Sequence, residues 1–129
     1  MAVDYSISAI NYRLLGVVDA IDSGGGNGYL VLLAGSTPVS TISLARPSGT
    51  VNGGVLTFSG TLLDTSAAAT GLVNGASIYA SNGTLMVSGL TVGIPPSSDY
   101  DILITNGLNS TLITAGQVVS VLSAQIAGS

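Results

Sequence analysis

Chemistry in this 129-residue chain has to come from six acidic groups, two basic groups and its hydroxyls. Glu, Lys, His, Cys and Trp are absent, so the acids are all Asp and the bases both Arg. The paired carboxylates are Asp19 with Asp22, and Asp99-Tyr100-Asp101. A D-x-D pair in a loop could supply two of the roughly six to eight oxygens that calcium needs. No D-x-[DN]-x-[DN]-G loop accompanies either pair, and turn-forming or exposed Asp is the simpler reading. Two acids across a cleft could hydrolyse a glycosidic bond. Such clefts bring aromatic platforms, and the chain holds five Tyr, one Phe and no Trp. No serine stands in G-x-S-x-G, and neither His nor Lys exists to activate one. Gly24-Gly25-Gly26 lacks the GK[ST] of a phosphate loop and reads as a helix-to-strand link. The expectation is a non-enzymatic protein with no catalytic residue, no metal site and no cofactor.

The charge balance narrows the partners. Net charge is −4, with Arg13 and Arg46 as the only cations. Two isolated arginines cannot track a phosphate backbone, so nucleic acid is not expected. Nor do they form a polybasic membrane patch. Mean hydropathy is high at +0.67. Even so, the longest dense apolar run, Tyr29 to Ala34, is far short of the roughly 20 residues of a membrane helix. The start, MAVDYSISAI, carries Asp4 instead of a basic region and does not read as a secretory signal. Synthesis in the cytoplasm is expected.

A mass of 12.7 kDa is one domain's worth of chain, large enough for a core without staples. Residues 1–22 differ from 23–129. Ile10, Leu14, Val17 or Val18, and Ile21 form one helical stripe, with Ser8 as the N-cap and the glycine run as the stop. Gly16 and the late Asp19 and Asp22 work against the helix, so an extended docking arm is the alternative.

From Asn27 on, Val, Ile, Leu, Thr, Ser and Gly alternate with turn signals. Strands are predicted near 28–34, 39–46, 54–59, 68–73, 76–81, 84–92, 101–105, 110–114 and 117–126. Asn82-Gly83 predicts a two-residue I′ hairpin pairing Ser81 with Thr84, Ala80 with Leu85, Tyr79 with Met86 and Ile78 with Val87. Ile78, Ala80, Leu85 and Val87 would then share the apolar face. Gly89 sits where the parity shifts, as a β-bulge requires. Asn52-Gly53-Gly54 reads as a hairpin loop, and Pro95-Pro96 as a surface loop. The Asn82 and Asn109 sequons carry no weight without secretion. The fold class is all-β: a β-sandwich of jelly-roll type, with a short N-terminal helix or arm.

Edge strands of free-standing sandwiches are blunted by Lys, other charges or Pro. Here Lys and Glu are missing, and strands 30–34 and 117–126 are apolar on both faces. Leu30 and Leu32 oppose Val31 and Leu33; Val119 and Val121 oppose Val118, Leu122 and Ile126. Strands of that kind are usually buried on both sides, which points to surface covered in an assembly. Tyr5, Tyr12, Arg13, Tyr79 and Tyr100 are the candidate interface residues, because tyrosine and arginine are enriched at interfaces.

Four stretches carry a family resemblance: VVDAIDSGGGNGYLVLL, ISLARPSGTVNGGVLTFSG, DTSAAATGLVNGASIYASNGTLMVSGLTVG and DYDILITNGLNSTLITAGQVVSVLSAQI. Together, from about Arg13 to Ile126, they resemble a family of small tailed-phage and prophage structural proteins. The shared features are a helix ending in D-A-I-D before glycines and a closing Leu-rich strand pair, which are core and turn patterns. The resemblance implies a capsid decoration or cement protein on the virion surface, bound to the major capsid protein and to itself as a dimer or trimer. A tail, neck or fibre component and a host-surface carbohydrate-binding module are the alternatives. This chain has fewer charges than the family habit.

Overall fold

The computed structural model describes residues 6–58, 62–94, 100–105 and 111–127. The chain opens with helix α1 (Ile7–Ile21) and is otherwise mostly β-sheet. Ser6, and not the predicted Ser8, caps the helix: its hydroxyl accepts from the Ala9 N–H at 3.1 Å, satisfying an amide that has no partner inside the first turn. Ile10, Leu14, Val18 and Ile21 are the buried stripe, so the choice between Val17 and Val18 falls on Val18. The segment is thus a docked helix, and the extended-arm alternative is set aside. A 3-10 turn, Asp22–Gly24, follows, and Gly25 at φ 81° stops the helix. Asp22, unfavourable beside the helix C-terminus, is turned away to accept the Ser48 N–H at 3.2 Å.

Gly16 remains as an unforced weakness in α1. It is exposed, and a Cβ there would meet nothing within 4 Å. Gly16→Ala is therefore expected to stabilise the protein by about 1 kcal/mol, read as a higher urea midpoint at unchanged slope.

The strands are β1 (Tyr29–Ala34), β2 (Thr37–Ser43), β3 (Gly49–Asn52), β4 (Val55–Phe58), β5 (Leu63–Asp64) and β6 (Gly71–Leu72). They continue as β7 (Gly75–Tyr79), β8 (Leu85–Leu90), β9 (Val92–Gly93), β10 (Ile102–Thr105), β11 (Leu112–Ile113) and β12 (Val119–Ala127). One sheet has the order β2-β1-β7-β8. A second runs β3-β4-β12-β10-β9, with β5 also on β12, and β6 pairs with β11. All pairings are antiparallel except β9 with β10. The predicted strand 68–73 shrinks to two residues because its backbone is spent elsewhere: Ala68 and Ala69 donate to the Val39 carbonyl on the edge of β2. Predicted 84–92 divides into β8 and β9.

Two hairpins test the turn chemistry. The hairpin read at Asn52-Gly53-Gly54 is present but one residue shorter: Asn52 pairs with Val55, and the loop is Gly53 and Gly54 alone, with φ of 59° and 80°. At Asn82-Gly83 only Gly83 is left-handed, at φ 87°. Ala80 accepts from the Gly83 N–H and donates to the Thr84 carbonyl, so the loop is one residue longer than an I′ turn. Tyr79 consequently faces Leu85, not Met86, while Ile78 keeps Val87. The extra residue reverses the parity. Leu85 is exposed, and Met86 packs against the core in its place. Gly89 has φ 77° within a second register shift, as its bulge role requires. Pro95-Pro96 lies outside the described residues.

One core takes side chains from both large sheets and the helix. Leu30, Leu32 and Ile78 come from the first sheet, Leu56, Ile102 and Ile104 from the second, and Leu14 and Ile21 from α1. Val31 is also buried, so β1 is covered on both faces. β12 is not.

Candidate interaction surface

Asp22, Asp64 and Asp101 are committed to backbone architecture. Asp64 accepts from Ser40 Oγ at 2.6 Å, Thr41 N at 3.3 Å and Ser66 N at 3.1 Å. Asp101 accepts from Thr91 N and Oγ1 at 3.0 and 3.2 Å and returns a bond from its own N–H to Thr91 Oγ1. Asp19 is exposed while Asp22 faces Ser48, and Asp99 lies outside the described residues. Among the described residues no three acids converge as metal ligands would have to. Nor, among the described residues, is any helix long and apolar enough to cross a membrane.

What the fold does assemble is an uncharged apolar surface on the outer side of the second sheet. The register sets Asp64 opposite Val119 and Leu63 opposite Ser120. Asp64 bonds toward β2, so alternation sends Leu63 to the other face. On β12, Val119 is fully buried and Val121 packs on the core, which leaves Leu122 outward, with the exposed Val118 immediately before the strand, the two flanking Ser120. Leu122 is further lifted out by a bulge: Leu103 pairs with Ser123 and Ile104 with Val121, so Leu122 has no partner on β10. Leu63, Val118 and Leu122 are 40%, 54% and 59% exposed. They share one face, with Leu63 opposite Ser120 and Val118 and Leu122 at the two diagonal positions, within reach of one ligand surface.

Smaller apolar features accompany it. Leu72 and Leu112 are cross-strand partners on β6 and β11, and both are exposed. On α1, Tyr12 and Leu15 are three residues apart and therefore neighbours on the solvent side.

The residues predicted for an interface are spread over different elements. Tyr12, 76% exposed, and the exposed Arg13 lie on α1. Tyr79 is half-buried on the outer face of the first sheet, stacked on its cross-strand partner Tyr29 with ring centroids 5.2 Å apart and 14° between planes. Leu85 stands on its other side. Tyr100 covers Gly93, its ring occupying the space that a Cβ there would need. Tyr29 with Tyr79 is the only ring pair among the described residues, so Tyr12, Tyr79 and Tyr100 do not form one cluster. Tyr5 lies outside the described residues. Leu63, Leu72 and Leu112 were not singled out from sequence: each sits in a strand of two residues, too short for an alternation to register.

Comparison with known proteins adds no relative: no family model, no curated protein and no solved structure matches this chain.

Proposed function

We propose that this protein is a non-enzymatic structural component of a tailed-phage or prophage particle. In this reading it is a decoration or cement protein, made in the host cytoplasm and carried on the outside of the head. The observation behind the reading is the outer face bearing Leu63, Val118 and Leu122, on a chain with almost no ionic groups to hydrate it. Apolar side chains grouped on one face of a sheet mark a contact surface, and cores of interfaces are depleted in charge. Burying such a face requires no desolvation of ions, so a neutral surface docks at low cost. The jelly-roll reading of the strand connections belongs to the same proposal, supported by a single core shared by two large, mostly antiparallel sheets.

A cement protein works by geometry alone. It spans neighbouring capsomers of the major capsid protein and offsets internal pressure through shared buried surface. On a lattice with repeated symmetric sites it is expected to act as a dimer or trimer. A standard interface buries roughly 1,600 Å² in total, more than three leucine-sized side chains provide, so further surface must join the patch. The exposed Leu72–Leu112 pair and the Tyr12–Leu15 face of α1 are available for that.

Particles purified from cells that carry the gene in its native setting decide the matter by quantitative mass spectrometry. Hundreds of copies per particle are expected. A few or a dozen would move the protein to the tail, neck or fibre, and absence from particles would overturn the proposal.

A further inference from the structure

We infer that Asn52 is a built-in site of spontaneous succinimide formation, and that folding shields the other described Asn-Gly pairs from the same reaction. Five such pairs occur: Asn27-Gly28, Asn52-Gly53, Asn74-Gly75, Asn82-Gly83 and Asn106-Gly107, the last outside the described residues. With no Cβ on the following residue, its backbone nitrogen can swing onto the Asn carboxamide. The Gly nitrogen gives up its proton to hydroxide or another solvent base and bonds to Asn Cγ. The Cγ–Nδ2 bond breaks and the nitrogen leaves as ammonia. Water then opens the five-membered imide at either carbonyl, giving aspartate or its β-linked isomer. The step needs an unengaged carboxamide and an unengaged following N–H.

Two of the four described pairs fail that requirement through hydrogen bonds, and a third, Asn27-Gly28, is closed by packing around its glycine. Asn82 Oδ1 accepts from the Thr84 N–H at 3.0 Å, and the Gly83 N–H is held by the Ala80 carbonyl at 2.9 Å. Asn74 Oδ1 accepts from the Gly35 N–H at 3.0 Å, and the Asn74 N–H donates to the Leu33 carbonyl at 3.0 Å, which holds its backbone as well. Gly28 is buried against Ile21 and the Tyr79 carbonyl, where even a Cβ would approach within 2.6 and 2.7 Å, and its own carbonyl accepts from Leu44. Asn52 differs. It is exposed, no bond to its side chain or to the Gly53 N–H exists among the described residues, and a Cβ on Gly53 would meet nothing within 4 Å.

The consequence is local and structural. The Gly54 N–H donates to Asn11 Oδ1 at 2.8 Å, tying this loop to α1, and Gly54 is packed near Ile7 and Ile10. A β-linked residue adds a backbone atom to a loop of two glycines, and aspartate adds a charge there. Either product is expected to loosen the tie between hairpin and helix.

The full chain, incubated in mildly alkaline buffer with and without denaturant, is sampled over time by peptide mapping. In denaturant the pairs are expected to react alike. In the native protein Asn52 is expected to stay within a few-fold of its denatured rate. Asn27, Asn74 and Asn82 are expected to fall by about tenfold or more, the factor that about 1.4 kcal/mol of local opening imposes. Asn52→Gln should remove the early product and leave the other three rates unchanged. Native-state modification of Asn27, Asn74 or Asn82 ahead of Asn52, or an Asn52 slowed as much as they are, would overturn the assignment.

Discussion

Replacing Leu63 and Leu122 together with lysine is expected to weaken attachment to the particle strongly while leaving the fold intact. Fully burying an exposed leucine contributes about 1.5–3 kcal/mol. Leu63 and Leu122, at 40% and 59% exposed, together offer about one leucine's worth of surface, so losing both weakens binding by about 1.5–3 kcal/mol. That corresponds to roughly tenfold to a hundredfold in affinity. Each lysine also brings a charge that docking would have to strip of water, which pushes the result toward the upper end. The isolated chain should scarcely notice. Both side chains already face solvent, and exposed substitutions away from special backbone positions change stability by about 0.5 kcal/mol or less. Co-sedimentation with particles gives the first quantity and a urea melt the second. Attachment equal to that of the parent protein would mean that this face is not the docking surface. A collapsed urea midpoint would mean that the two leucines belong to the core after all.

The contrast between β1 and β12 shows how far the sequence could be read. Both strands are apolar at consecutive positions, and from that alone both were expected to be covered on two sides. β1 is central in its sheet, and Val31 on its outer side is buried. β12 is also central, yet its outer side carries no second layer among the described residues, and Val118 and Leu122 stay in water. Composition told of apolar surface in excess of what the sheets need; it could not say where the excess lies, because that depends on which strand pairs with which.

Short-range signals survived better than long-range ones. The helical stripe, the hairpin at Asn52-Gly53-Gly54 and the bulge at Gly89 are set by neighbours a few residues away, and all three stand in the structure, the hairpin with Asn52 taken into the strand. The Asn82-Gly83 hairpin missed by one residue because the same dipeptide serves a two-residue loop or a type I turn closed by a left-handed glycine. That single residue was enough to exchange Leu85 and Met86 between solvent and core. Asp64 was invisible as a link to β2, since nothing in the sequence near it announces a bond 24 positions away.

The standing of α1 turns on Ile21→Ala, which is expected to cost about 2–5 kcal/mol of stability. Ile21 is fully buried, and its Cγ2 would stand 2.6 Å from a Cβ on Gly28, so it fills the joint where the helix hands over to β1. Removing three carbons there opens a cavity that the rigid neighbours cannot close: Gly28 is pinned by the Leu44 N–H on its carbonyl and by the Tyr79 carbonyl at its back. A domain of this size holds about 5–15 kcal/mol in all, so the variant should lose a large fraction of its stability in a single cooperative transition. Tyr12→Ala on the same helix, where the side chain is exposed, should shift the urea midpoint by about 0.5 kcal/mol or less. A helix that is merely appended would reverse the expectation: Ile21→Ala would leave the β transition where it was, and only helical signal would be lost. Deleting residues 1–12 asks the same question more severely, because it removes the Ser6 cap and Ile10 and leaves Leu14, Val18 and Ile21 on a helix too short to hold itself. Loss of the β transition in that deletion would place α1 in the folding unit. Its survival would free the helix to act as a reaching element.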